Sequence, residues 1–191
     1  MRRLIEPIGL ALLGIGLGLG SLAAITWAIR APYEEVFGPW RGTSLVGRVP
    51  NGSYERLAIA TRGLVGLPRS ETVYLDARVD EDGRPFDPAC SYVLRGPALP
   101  ARWWSLTPYD ADWELIPNDD GVYSVGSHNA RLDARGEFRV RLAVDAAGPA
   151  EIPLAEKPGT FVVLRLYHPE PGVAARLAEV AWPSIAREGC R

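Results

Sequence analysis

The chain has 191 residues, which allows one ordinary domain with an appendage but not two full domains. Its formal net charge of −2 is close to balanced and excludes the strongly basic surface of a typical nucleic-acid-binding protein. Hydrophobic residues make up 47% of the chain but are concentrated near its start, and 20 glycines and 17 prolines favour a fold with many turns.

The first predicted element is a transmembrane helix over residues 7–29, a run of 23 residues without a charged side chain. A helix of that length spans about 34 Å, enough for the ~30 Å hydrocarbon core of a lipid bilayer. Trp27 lies near its far end, where an indole prefers the headgroup boundary. The alternative is a cleaved signal peptide, whose apolar region is normally only ~7–15 residues long and ends in small residues. Thr26-Trp27-Ala28 is too bulky for such a cleavage site.

Four glycines in this run form two overlapping pairs with three residues between partners: Gly14 with Gly18, and Gly16 with Gly20. Such pairs let two helix backbones approach closely in lipid, so the spacing favours self-association of the helix. The alternative is an anchor that is simply rich in glycine, a common residue in membrane helices.

The charges that flank the run favour an N-terminus in the cytoplasm. Arg2 and Arg3 lie in the short tail 1–6, whereas Arg30 is the nearest basic residue behind the run. Two arginines further downstream reduce this bias. Because nearly all basic residues are arginine, as is common in GC-rich bacterial genomes, we predict a single-pass bacterial inner-membrane protein. Its C-terminal domain would then lie in the periplasm.

A juxtamembrane connector is predicted over residues 30–52, because prolines such as Pro39 interrupt regular elements. The globular domain then occupies residues 53–191. It begins with a helical spacing of apolar residues over 53–63, which nearby glycines and a proline end.

Beyond this helix the hydrophobic period becomes two, which is typical of half-buried strands. Predicted strands cover residues 72–80, 90–95, 102–109, 121–126, 138–144 and 161–167. Short strands separated by turns about every ten residues indicate a mainly β protein, a β-sandwich or jelly roll. A short helix is predicted over 172–181.

Two cysteines, Cys90 and Cys190, both follow the apolar run. In an oxidising compartment they are predicted to form a disulfide that holds the C-terminal tail to the domain. The alternative is two unrelated thiols.

Four stretches of the domain resemble one known family. They are ETVYLDARVDEDGRPFD (Glu71 to Asp87), WSLTPYD (Trp104 to Asp110), YSVG (Tyr123 to Gly126) and LRLYHPEP (Leu164 to Pro171). Together they resemble the domain of unknown function 1214 family over roughly residues 54–182. The resemblance implies a jelly-roll-like β-sandwich with short flanking helices. It implies no settled activity, and His168 departs from the aromatic residue expected there.

The resemblance also implies a partner. Members of that family often follow a second domain, numbered 1254, in the same chain or encoded nearby. This chain carries an apolar run in its place, so a companion protein with the 1254 domain is an expected partner.

Candidate catalytic residues are few. His128 and His168 are the only histidines, and they lie forty residues apart without HxH or HExxH spacing. We therefore predict neither a metal nor a cofactor. Asp110, Tyr109 and His128 are the candidates for acid–base chemistry.

Candidate ligand-binding residues are aromatic, amide and guanidinium side chains: Trp104, Asn118, Tyr123 and Arg165. Such groups hold sugars or small amphiphiles in β-sandwiches. The alternative places the aromatic rings in the core and pairs Arg165 with an acid such as Asp110.

The leading hypothesis is a membrane-anchored envelope protein that acts as a non-catalytic binding or accessory module. The alternative is a hydrolase that acts on an envelope glycan or lipid, and it could require the companion chain for activity.

Overall fold

The computed structural model describes residues 2–28, 34–43 and 67–191 of the chain. Helix α1 covers Arg2–Ala28. Its stretch Pro7–Ile25 is long and apolar enough to cross a membrane, and none of it is buried against the rest of the protein. Within the described ranges it is the one such helix. A membrane anchor and a signal sequence share these properties.

A hairpin lies where the sequence predicted an irregular connector. Strands β1 (Glu34–Phe37) and β2 (Trp40–Thr43) pair antiparallel. Regular strands therefore occupy part of the predicted connector. Pro39 does not interrupt the hairpin, because it lies in the two-residue turn with Gly38, where its missing N–H is not needed for a ladder hydrogen bond. The helix predicted over 53–63 lies outside the described residues.

The larger sheet has six strands in the order β1-β2-β3-β9-β5-β6. Its remaining members are β3 (Thr72–Ala77), β5 (Ala101–Tyr109), β6 (Val125–Gly126) and β9 (Phe161–Pro169). All neighbouring strands run antiparallel. Leu164 in β9 lies opposite Leu75 on one side and Leu106 on the other, so three leucines cross the sheet in register.

The smaller sheet has four strands in the order β10-β4-β7-β8. They are β4 (Cys90–Pro97), β7 (Glu137–Ala143), β8 (Glu151–Pro153) and β10 (Ser184–Cys190). Strands β7 and β8 are parallel, and the other pairs are antiparallel. A disulfide joins Cys90 to Cys190, which lie opposite each other in the β4–β10 ladder.

The core lies between the two sheets. The three leucines of the larger sheet belong to the same buried cluster as Leu94 and Val140 of the smaller one. Trp40, in β2, is fully buried, and its indole N–H donates to the carbonyl oxygen of Pro183 at 2.7 Å. That bond ties the N-terminal hairpin to the segment that enters β10.

The predicted fold class is confirmed, because the protein is mainly β and forms a jelly-roll-like sandwich of two sheets. Several elements differ from the sequence prediction. The strand predicted over 121–126 is reduced to Val125–Gly126, and the helix predicted over 172–181 consists of two 3-10 turns, Val173–Ala175 and Leu177–Glu179. Strands β8 and β10 were not predicted.

Candidate functional site

A cleft with a volume of about 750 Å³ opens at one end of the sandwich. Three connections build it: the loop from β5 to β6, the loop from β7 to β8, and the loop from β8 to β9. We call it the end cleft. Ile116, Pro153 and Leu154 are buried and form its apolar floor. A cavity of this size with an apolar floor matches the usual dimensions of small-molecule sites, ~300–1,000 Å³.

The other lining residues make the end cleft strongly acidic. Among the described residues, six carboxylates line it, against a single basic side chain, Lys157. The six are Asp110, Asp112, Asp119, Asp120, Asp145 and Glu156. A cleft lined by one sign of charge concentrates the opposite sign of ion or ligand.

Two of these carboxylates bind segments of the protein outside their own loop. Asp145 forms ion pairs with Arg141 and Arg191. The hydrogen bond from Arg141 holds the pKa of the Asp145 carboxyl below its ordinary value. Asp120 accepts a hydrogen bond from the backbone N–H of Gly148 at 3.1 Å, which joins two of the loops that form the cleft.

Asp110 has a structural role in the turn that leaves β5. Its Oδ1 accepts hydrogen bonds from the backbone N–H groups of Asp112 and Glu114, both at 2.9 Å. The same five-residue turn begins at Asp80 and at Asp133. The Oδ1 atom of each accepts hydrogen bonds from the backbone N–H groups of the second and fourth residues after it. One carboxylate oxygen of Asp110 is therefore committed to holding the loop that lines the cleft.

Trp113 occupies a position in its turn that glycine fills in the two equivalent turns. Gly83 and Gly136 have φ angles of 77° and 75°, and Trp113 has a φ of 68°. A left-handed backbone is strained for a bulky residue. Packing holds the indole there: it contacts Phe161 edge-on at 4.5 Å between ring centroids, and the Arg78 guanidinium lies 5.7 Å from its ring.

We predict that Trp113→Gly is more stable than Trp113→Ala by about 1 kcal/mol, since both lose the indole but only glycine relieves the left-handed strain. Urea denaturation of the full chain measures the difference. Gly83→Ala and Gly136→Ala serve as controls and should lose a similar free energy. Equal stability of the glycine and alanine variants at position 113 would contradict the conformation of this turn.

The three catalytic candidates do not form one site. Asp110 lines the end cleft, whereas the Tyr109 hydroxyl accepts a hydrogen bond from Arg165 at 2.8 Å on the face of the larger sheet turned away from the core. His128 is exposed and stacks on Trp103 at 6.1 Å between ring centroids. Trp103 and Tyr109 are six residues apart on β5, a distance of about 20 Å along a strand. The suggested ion pair between Arg165 and Asp110 is not formed.

Among the candidate ligand-binding residues, only Asn118 lines the end cleft. Its side chain is engaged with its own loop: Oδ1 accepts from the Val122 N–H at 2.9 Å, and Nδ2 donates to the Ile116 and Val122 carbonyls. Trp104 packs in the core against Phe138, at 4.6 Å between ring centroids. Tyr123 is exposed outside the cleft, and Arg165 lies on the sheet.

Most of the cleft was missed from the sequence. The β7–β8 and β8–β9 loops supply its other walls, and neither carries a recognisable motif. The one available signal was the density of acids between β5 and β6, where Asp110, Asp112, Asp119 and Asp120 fall within eleven residues. Across residues 2–28, 34–43 and 67–191, no three His, Cys, Asp or Glu side chains are grouped so that they could hold a metal ion.

The fold and the cleft define a class: a β-sandwich domain with a loop-built cleft at one end, preceded in the chain by an apolar helix. The chain belongs to the family described as "Protein of unknown function (DUF1214)", whose model matches residues 71–171. The predicted resemblance is thus confirmed. No curated protein matches the chain.

Two solved structures are similar to this one. The VPA0106 protein from Vibrio parahaemolyticus superposes with a TM-score of 0.65 at 22% identity, over 96% of this chain and 46% of the other. A putative uncharacterized protein from Burkholderia cenocepacia has a TM-score of 0.44 at 12% identity, over 91% of this chain and 41% of the other. The first supports the fold. The chain spans less than half the length of either protein.

Proposed function

We propose that this protein is a membrane-anchored, non-catalytic binding module whose ligand occupies the end cleft. The cleft itself carries the proposal, because it combines a volume of about 750 Å³, a buried apolar floor and a polar rim. Those are the properties of small-molecule sites in proteins.

A binding role fits the geometry better than hydrolysis. General acid–base catalysis requires side chains within hydrogen-bond reach of one reacting group. His128 instead stacks on Trp103 near the other end of β5, the Tyr109 hydroxyl is bound by Arg165, and Asp110 uses one carboxylate oxygen to hold its own turn. The side chains that line the cleft are better suited to recognising a ligand than to transferring its protons.

The proposal includes the cellular setting expected from the sequence. Helix α1 anchors the protein in the bacterial inner membrane with its N-terminus in the cytoplasm, and the sandwich lies in the periplasm. The Cys90–Cys190 disulfide supports an oxidising compartment. Apart from the nearby backbone of α1 itself, no atom of the described residues lies within 4 Å of a Cβ built on Gly14, Gly16, Gly18 or Gly20, which supports contact with a second helix there.

A companion chain with the 1254 domain remains a proposed partner. The supporting observation is length: this chain covers only 46% of the Vibrio protein that shares its fold. The binding module would then act as an accessory to that companion.

The proposed site predicts that filling the end cleft abolishes ligand binding. The full chain in lipid nanodiscs would be screened by thermal denaturation against a library of neutral, cationic and anionic small molecules. A ligand at one hundred times its Kd should raise the Tm by about 5–10 °C. Ala155→Trp, which places an indole in the cleft, should remove that shift.

The matched control is Ala178→Trp, which adds the same side chain at an exposed position on a 3-10 turn. It should keep the full shift. If no compound stabilises the wild-type protein, or if Ala155→Trp responds like the control, the end cleft is not the binding site.

A further inference from the structure

We infer that the ligand of the end cleft is a small organic cation with an apolar body, of the alkyl- or arylammonium or guanidinium class. This inference rests on the proposed function, because it specifies the chemistry of a ligand in the same cleft. Three properties of the cleft support it: its floor, the sign of its charge, and the arrangement of that charge.

The apolar floor of the end cleft favours a ligand with an apolar body. Ile116 is 7% exposed and Leu154 is 2% exposed, and both face the cavity together with Pro153. Val144 and Pro158 extend the same apolar lining. A fully hydrated ion would leave these apolar side chains in contact with water and would gain little binding free energy from them. An alkyl chain or aromatic ring would remove them from water, which is favourable.

The acidic rim of the end cleft favours a ligand with a positive charge. Asp145 is already paired with two arginines, and Asp120 and Asp110 hold the loops together. Asp112, Asp119 and Glu156 are exposed and have no side-chain partner among the described residues. A ligand carboxylate or phosphate would meet unpaired like charges on the β5–β6 and β8–β9 loops, whereas an ammonium group would meet opposite charges there.

The arrangement of the carboxylates favours an organic cation over a metal ion. Ca²⁺ and Mg²⁺ require several oxygen ligands that converge within about 2.0–2.6 Å of one point. No three acidic side chains of the described residues converge in that way. The charge is instead distributed around the opening, where it attracts a cation without coordinating it directly.

Three probes with the same apolar body test the inference: 4-phenylbutylamine, 4-phenylbutanol and 4-phenylbutanoate. Their Kd values would be measured by calorimetry on the full chain in nanodiscs of zwitterionic lipid at low salt. We expect the amine to bind about tenfold more tightly than the carboxylate, the effect of a few modest charge interactions at a solvent-exposed rim. Added salt should reduce this preference.

Charge-neutral variants identify the rim as the cause. In the triple variant Asp112→Asn/Asp119→Asn/Glu156→Gln, the roughly tenfold preference for the amine over the carboxylate should disappear, so that the two Kd values become similar. A control triple, Glu81→Gln/Glu170→Gln/Glu188→Gln, removes the same charge from exposed positions outside the cleft and should keep the preference.

The results separate this inference from the proposed function. Equal binding of all three probes, abolished by Ala155→Trp, would overturn the cationic class and leave the cleft as a binding site. Binding of the amine that survives Ala155→Trp would overturn both. Failure of the amine to bind would overturn the cationic class, and the library screen would then decide the proposed function by itself.

Discussion

The double substitution Cys90→Ser/Cys190→Ser is expected to lower the free energy of unfolding by about 4–5 kcal/mol. The disulfide links residues 100 positions apart, so it restricts more than half of the unfolded chain. In the chain-entropy model a loop of that length corresponds to about 4.7 kcal/mol at 25 °C. Urea denaturation of the full chain, with and without reductant, measures the loss.

The reduced wild-type protein provides the control for this prediction. It should unfold at the same urea concentration as the double variant, because both lack the cross-link but keep the β4–β10 ladder. An oxidised protein that unfolds at the same concentration as the reduced one would contradict a stabilising role of the disulfide.

The second large effect is expected from Asp80→Ala, which should lower the free energy of unfolding by about 3–5 kcal/mol. The substitution leaves the partly buried guanidinium of Arg187 without its carboxylate partner. The Asp80 side chain is fully buried. Its Oδ1 accepts from the backbone N–H groups of Asp82 and Arg84, and its Oδ2 accepts from Arg84 Nε at 3.1 Å. Arg187 Nε, from β10, lies 3.3 Å from the same Oδ2.

Asp133 offers a matched control, because it forms the same turn at the surface. Its two backbone hydrogen bonds are equivalent, but its side chain is exposed and its nearest guanidinium, on Arg95, is 3.8 Å away. Asp133→Ala should therefore cost much less than Asp80→Ala, because it removes little more than the turn hydrogen bonds. Equal losses for the two variants would show that burial and Arg187 contribute nothing at Asp80.

The same carboxylate gives a pH dependence. Burial by itself would raise the pKa of Asp80, but the backbone and guanidinium hydrogen bonds from Arg84 together outweigh burial and hold the pKa below its ordinary value. The stabilisation is complete above the unfolded carboxyl pKa of about 3.9 and is lost as the pH falls through the lower folded value. The stability difference between wild type and Asp80→Asn should thus be constant near neutrality and shrink in acid.

Asp80 also shows how distant segments are joined in this fold. Its turn follows β3, while Arg187 belongs to the last strand, and the Glu81 N–H donates to the Ile185 carbonyl at 2.9 Å in the same region. The disulfide fixes the other end of β10. The C-terminal strand is thereby held at both ends, even though it forms an edge of its sheet.

The sequence by itself determined the features that depend on local periodicity. The uncharged run 7–29 predicted a long apolar helix, observed as α1. The alternation of Phe138, Val140 and Leu142 with arginines predicted β7, because side chains alternate between the two faces of a strand. These patterns require only neighbouring residues, so they could be read without the fold.

Tertiary structure alone decided the rest. The sequence of strand β10, SIAREGC, does not alternate between apolar and polar residues, and Ile185 is its one buried residue. The strand is defined instead by its pairing with β4. Trp113 takes the left-handed position of its turn, and its ring packs on Phe161, a contact between positions far apart in the chain. The end cleft likewise depends on contacts between distant positions, because three separate loops form it. Its floor and its charge exist only when the sandwich brings those loops to one end, and no local pattern encodes such a meeting.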